Sequence, residues 1–541
     1  MLRTNLINPV ITSRYLLTPI IAVLLGSLAA CGGPQLARME SSPQLMMLEV
    51  SAESPAAFPK QEPEYTPSGE TYNHIKENRF QEVLTNPAST FSVDVDTASY
   101  SNVRRFINDG KLPIKDAVRI EEMVNYFSYT YPEPVGEHPF SITTEVAPAP
   151  WNPKHRLVQI GLKGKSFHQS ERPAANLVFL IDVSGSMHSQ LHLVKASLTM
   201  LTKQLRADDR VAIVVYAGAS GMVLAPTSGA NQQAILDALH RLQAGGSTAG
   251  AAGIELAYQV AMENFRKGGN NRVILATDGD FNVGPTSQGE LIELVEKHRR
   301  SGVNLSVLGF GRGNYNDATA ELLADKGNGS YAYIDSIREA GKVLVEQMMG
   351  TLFTIAKDVK IQMQFNPQQV KAYRLIGYEN RMLENRDFAD DKKDAGEIGA
   401  GHTVTAFYEI IPNDHEQSGT DYKYVESRPT SRAASSDELM TIRFRYKQPQ
   451  GEKSILMEKV VKQAGTGKDQ PSENFRFASA VVEYGLVLRN SKYKGNANLK
   501  SVIKRAQAAR GEDPNGHRSE FVSLVKTTRY IIDSKPQGRR D

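Results

Sequence analysis

The sequence predicts an α/β fold: a doubly wound, mainly parallel sheet, inserted in or flanked by a β-sandwich-like module and followed by a C-terminal helical segment. Three observations predict it. Between residues 174 and 352, short apolar runs alternate with stretches of helical periodicity, as a parallel sheet covered on both faces requires. Outside that stretch, 141–146 and 157–162 read as strands, and runs within 358–461 alternate apolar with polar residues, the mark of half-buried antiparallel strands. Beyond residue 466 the apolar spacing turns helical again.

The elements follow in chain order. Arg3 and Arg14 precede the apolar stretch 16–25, which is too short and too broken by Pro19 to span a bilayer and reads as an export signal. Leu28-Ala29-Ala30-Cys31-Gly32-Gly33 comes next and is similar to a bacterial lipobox, so residues 1–31 form the signal and Cys31 is the lipidation site. Cys31 is the single cysteine of the chain, so no internal disulfide is possible and lipid attachment accounts for an otherwise odd thiol. Gly32 after the cysteine resembles lipoproteins sent to the outer membrane of the bacterial cell envelope. Residues 32–86 are rich in Pro, Ser, Glu and Gln without apolar periodicity, which predicts a flexible tether.

An N-terminal module is expected over 87–173. Phe91 to Val95 alternates like a strand, a helix capped near Thr97 runs to Phe106, and a second helix covers 116–127. Strands at 141–146 and 157–162 flank Trp151, the only tryptophan. Two lone strands cannot bury their faces, so they are expected to pair with strands beyond residue 358 in one sandwich. The central domain, 174–352, is expected to place strands at 177–181, 211–216, 273–276, 305–309 and 330–334. Its helices fall at 191–205, 232–242, 251–266, 291–300, 318–326 and from Arg338 onward. A β-rich module follows over 353–465, with strands at 359–365, 403–410 and 440–446 and solvated polar insertions at 385–393 and 413–437. A helical module closes the chain over 466–541. Its basic residues, among them Lys492, Lys500, Arg505, Arg518 and Arg529, read as a solvated face.

Three segments of the central domain carry the chemistry. Asp182-Val183-Ser184-Gly185-Ser186 ends the first apolar run, and Thr277-Asp278-Gly279 ends the run 273–276. Thr248 sits in the glycine-rich Gly245-Gly246-Ser247-Thr248-Ala249-Gly250 that opens a helix. Loops at the carboxyl ends of strands in an open α/β sheet converge on one crevice. Neutral hydroxyls with two carboxylates suit one hard divalent cation that keeps an open coordination position. The plainer reading is a polar strand-to-helix turn with Ser186 as a helix N-cap.

Taken together, these residues resemble the metal-ion-dependent adhesion site of the von Willebrand factor type A domain, and residues 86–532 resemble the bacterial lipoproteins of the YfbK type. The resemblance implies a Rossmann-like central domain whose metal ligands are Asp182, Ser184, Ser186, Thr248 and Asp278. The cation would be magnesium, with manganese or calcium as alternatives. It further implies a protein partner whose Glu or Asp carboxylate takes the free position, giving metal-dependent adhesion at the envelope without catalysis. Two alternatives stay open: an envelope scaffold with a purely structural metal, and a phosphotransferase or hydrolase using Asp94 and Asp96 of Asp94-Val95-Asp96-Thr97.

Other motifs fail on their context. Gly164-Lys165-Ser166 lacks the earlier glycine of a phosphate loop, which excludes a nucleotide there. His188 and His192 have helical spacing but no third ligand nearby in sequence. There is no His-Glu-x-x-His segment and no Gly-x-Ser-x-Gly elbow. A net charge of +3 carries no nucleic-acid footprint.

Overall fold

The computed structural model describes residues 69–93, 95–168, 170–218, 220–246, 250–280, 288–413, 436–462 and 470–534. The export signal, Cys31, most of the expected tether, Asp94, Thr248 and residues 414–435 lie outside them.

The central domain is built on a six-stranded sheet. Tyr331–Tyr333, Asn304–Gly309, Asn270–Thr277, Ala175–Asp182 and Arg210–Tyr216 run parallel in that order, and Ser220–Ser228 closes the far edge antiparallel. Leu177, Phe179 and Ile181 enter one apolar core, while Val178 and Leu180 enter the other. Burial on both faces is why this strand reads as a continuous apolar run. Val194, Leu198, Ile235 and Leu239, from helices Leu191–Thr202 and Gln232–Arg241, cover the first face. Ile254, Tyr258, Val295 and Leu323, from helices Gly250–Glu263, Gln288–Arg299 and Asp317–Lys326, cover the second. From Ala175–Asp182 the chain first builds one side of the sheet, then crosses to Asn270–Thr277 on the other. That reversal opens a crevice beyond the carboxyl ends of these two strands, the place where ligands bind in such sheets.

Two antiparallel sheets form the flanking sandwich, and each mixes strands from before and after the central domain. One runs Gln81–Glu82, Val370–Ile376, Thr403–Pro412, Asn152–Gly164, Phe140–Ala149. The other runs Met382–Leu383, Ala88–Ser92, Thr354–Phe365, Glu438–Lys447, Ile455–Lys462, with Ile398–Gly399 paired to Thr354–Phe365. Aromatic contacts stitch their facing sides: Phe91 to Tyr408 at 6.1 Å between ring centres, Phe140 to Tyr446 at 5.0 Å, Phe365 to Tyr373 at 4.1 Å. The chain leaves the sandwich after Gly164 and returns at Thr354, so the parallel-sheet domain is an insertion, as expected.

The outer side of the first sheet is covered by helices Glu473–Leu488, Leu499–Ala508 and His517–Ser534, together with Ala98–Asn108 and Ile120–Asn125. Trp151, at the hairpin between Phe140–Ala149 and Asn152–Gly164, is buried in this layer, and its carbonyl accepts from Asn496 N–H at 3.0 Å. No helix among the described residues is long and apolar enough to cross a membrane.

Several expectations are corrected. Residues 69–86 belong to the fold: the buried Glu70 carboxylate holds Arg105 at 2.9 and 2.7 Å, an ion pair that polar composition conceals. The helix expected over 116–127 is divided into a 3₁₀ turn, Lys115–Ala117, and Ile120–Asn125. Arg119 takes an extended backbone between them and pairs with Asp317 at 2.6 Å and with Glu122. The last helix of the central domain is interrupted by a π turn at Lys342–Glu346, where the buried Lys342 ammonium lies 3.8 Å from the Tyr126 ring centre. Insertion 385–393 is not simply solvated: Phe388 is buried under Arg443 and Arg445. Of the basic C-terminal residues, Arg505 pairs with Glu483 at 2.7 Å and Arg518 stacks on Phe477 at 4.6 Å, so these two brace the helices.

Candidate metal centre

Asp182 ends its strand fully buried at the crevice. Its Oδ1 accepts the Ser184 N–H at 2.9 Å, and its Oδ2 accepts the Tyr216 hydroxyl at 3.1 Å and the Thr277 hydroxyl at 3.2 Å. Burial pushes the carboxyl up to about 6; hydrogen bonds from Ser184 and Tyr216 oppose the shift, and the Asp278 charge adds to it. Two carboxylates therefore share one poorly solvated crevice, where mutual repulsion makes a cation welcome.

Beyond Asp182 the chain turns into a short 3₁₀ segment, Gly185–Ser189. Ser184, not Ser186, occupies its N-cap position, and its hydroxyl makes no capping bond. The Ser184 and Ser186 hydroxyls instead lie 3.1 Å apart, and Ser186 is exposed. That arrangement removes the plain N-cap reading and leaves two oxygen donors side by side at the crevice.

Asp278, also buried, follows Asn270–Thr277. Its Oδ1 accepts the Asp280 N–H at 3.0 Å, its Oδ2 accepts the Asn314 amide at 3.3 Å, and its carbonyl accepts the Asn316 N–H at 3.0 Å. Gly279 turns away at φ +77°, where a β-carbon would lie 2.3 Å from the Asn316 carbonyl oxygen. The glycine-rich segment reaches the same place: Gly245 N–H donates to the Val183 carbonyl at 2.7 Å, and Gly185 N–H to the Gly246 carbonyl at 3.1 Å. Thr248 comes two residues further on, outside the described residues.

The structure thus brings Asp182, Ser184, Ser186 and Asp278 to one crevice. Tyr216 and Asn314, which together with Thr277 orient the two carboxylates, escaped the sequence reading. Gly309-Phe310-Gly311-Arg312-Gly313-Asn314, a glycine-rich run after a buried strand, was the available signal for Asn314. Among the described residues no group of three His, Cys, Asp or Glu side chains is placed to hold a metal ion, so the crevice depends on hydroxyls beside its two acids. That donor chemistry fits a hard divalent cation.

The other motifs resolve differently. Asp96 is buried, accepting the Tyr331 N–H at 2.7 Å and pairing with Arg381 at 3.2 Å, which makes it a structural clamp. Lys165 continues from the end of Asn152–Gly164, its N–H donating to the Pro139 carbonyl at 2.8 Å, with no helix opening behind it. His188 and His192 are exposed.

A parallel sheet with this crevice defines a von Willebrand factor type A domain protein, and the family model of that description matches residues 176–346. Models described as "von Willebrand factor" and "Uncharacterized protein YfbK, C-terminal" match 66–159 and 350–531. The chain belongs to the YfbK family: it is 45% identical over 479 residues to "Uncharacterized protein YfbK" of Escherichia coli (strain K12), spanning 86% of this chain and 82% of that one. "Uncharacterized protein sll0103" of Synechocystis sp. is 31% identical over 189 residues, 34% of this chain and 43% of its own. Among solved structures, "von Willebrand factor type A from Catenulispora acidiphila" is 15% identical with a TM-score of 0.39, covering 69% of this chain and 87% of that one.

Proposed function

We propose that the chain is an envelope protein that captures a protein partner through a divalent cation, magnesium first among the candidates. Asp182, Ser184, Ser186, Thr248 and Asp278 would hold the ion, which supplies a Lewis-acidic position for a carboxylate from outside. The observation that carries this reading is the pair of Ser184 and Ser186 hydroxyls 3.1 Å apart, without capping duty, beside two buried aspartates. The chain's own part is orientation. Tyr216 and Thr277 fix one carboxylate and Asn314 the other, so the donors are aligned before the ion arrives. A Glu or Asp of the partner completes the site, and no residue here is given a catalytic role. Lipid attachment at Cys31 would tether the protein to the envelope, with the outer membrane as destination.

Pull-down from an envelope extract tests this, run with and without chelator and with Asp182→Ala. Partner capture should vanish in both while the folded state persists. Equal capture by the variant overturns the proposal, and capture that survives chelation favours a scaffold with a structural metal.

A further inference from the structure

A cleft of about 680 Å³ opens at the opposite end of the parallel sheet, where the amino ends of Asn270–Thr277 and Asn304–Gly309 meet the sandwich strand Thr354–Phe365. Its volume lies within the usual range for a small-ligand site. Nothing in the metal reading uses it.

The cleft has polar groups of both signs in reach of a ligand. Glu397 lines it, with the Thr354 hydroxyl donating to one carboxylate oxygen at 2.8 Å and no bond from any described residue to the other. Burial pushes this carboxyl up to about 7; the Thr354 bond and the Arg272 charge resist the shift, and the Asp358 and Asp394 charges add to it. Arg266 and Asn270 also line the cleft, and the buried Arg266 Nε and Asn270 Nδ2 have no hydrogen-bond partner among the described residues. Unpaired buried donors are costly, so they mark where an acceptor belongs. Lys357 adds a further positive charge to the lining, with no ion pair among the described residues. Phe265, 41% exposed, and the buried Phe353 supply apolar wall between these groups.

We infer that this cleft binds a short peptide or peptide-like zwitterion, its ammonium group on Glu397 and its carboxylate on Arg266 and Asn270. A purely anionic ligand leaves the Glu397 carboxyl without a cation to ionise it, and a purely cationic one leaves Arg266 and Asn270 without an acceptor. A ligand with both ends satisfies each group. Arrival of an ammonium ion favours the ionised carboxylate, so binding near neutral pH releases the Glu397 proton.

The dipeptide Ala-Ala tests the inference by titration calorimetry on the purified full chain, repeated in buffers of different ionisation enthalpy. Saturable binding with proton release is expected. N-acetylation of the dipeptide, and separately Glu397→Gln, should each weaken it by about tenfold or more and abolish the proton release. Arg266→Ala, an independent variant among the carboxylate-binding groups, should weaken it without removing the proton release. Chelator should change nothing, which separates this site from the metal crevice. Absence of saturable binding, or equal affinity for the acetylated dipeptide or in Glu397→Gln, overturns the inference.

Discussion

Gly311 lies directly behind Asp278: a β-carbon at Gly311 would stand 2.9 Å from the Asp278 Cβ. The glycine also has φ +123°, a conformation that side chains rarely adopt. Gly311→Ala should therefore strain the loop by about 1–3 kcal/mol and push Asp278 out of line. Cation affinity, read by magnesium titration, should fall by about tenfold while the far cleft is unaffected. Unchanged affinity would show that Asp278 has no fixed place in binding.

Arg104 joins three modules in one buried ion cluster. It pairs with Asp335 at 2.5 Å, Glu339 at 2.7 Å and Glu520 at 2.9 Å, which belong to the central domain and the C-terminal helices. Arg104→Met leaves Asp335 and Glu339 without an ion pair and Glu520 with Arg338 alone, and should lower stability by about 3–5 kcal/mol in chemical denaturation. Adding Glu339→Gln should recover part of the loss, because one buried charge then disappears. A loss below about 1 kcal/mol would mean the modules are held by their apolar contacts alone.

Two half-buried groups give stability opposite slopes against pH. Glu397 rises to about 7 in the fold through burial, so the folded state holds a proton the unfolded chain has released, and stability falls as pH climbs from about 4.5 to 7. His402 drops to about 4, again through burial, with the Lys342 and Lys163 charges adding to it. The folded state then refuses a proton the unfolded chain takes up, so stability falls as pH drops from about 6.5 to 4. Each slope amounts to at most about 3 kcal/mol across its window. Relative to the wild type, Glu397→Gln should remove a component that falls with pH, and His402→Gln one that rises. Parallel curves for the two variants would contradict the assignment.

Removing residues 470–541 should uncover Trp151, Phe407 and Tyr126, which pack against Phe475, Phe477 and Phe521 in one core. The truncated chain should bind a hydrophobic dye and lose cooperative unfolding. A soluble, cooperatively folding product would show that the helices are an independent appendage.

Legibility followed burial in the central sheet, while the buried sandwich strand Val370–Ile376 was missed. Strands with both faces covered, such as Ala175–Asp182, carry uninterrupted apolar runs and were found within two residues. The edge strands Ser220–Ser228 and Ile455–Lys462 were missed because exposed positions such as Met222, Ile455 and Val460 break the alternation. Breaks inside helices were equally hidden, since Arg119 and Lys342 read as surface residues until their buried partners are known. At the crevice, Asp182, Ser184, Ser186 and Asp278 were legible because motif and strand end coincide. Tyr216 and Asn314 were not: their role depends on contacts from 34 and 36 residues away.

Manganese titration followed by water-proton relaxation tests the central claim most directly, since it reports both the ion and its exchangeable water. One saturable site with enhanced relaxation is predicted, abolished by Asp182→Ala and by the Ser184→Ala, Ser186→Ala pair. No saturable site, undiminished binding in those variants, or bound manganese without exchangeable water would contradict an open, hydroxyl-built metal centre.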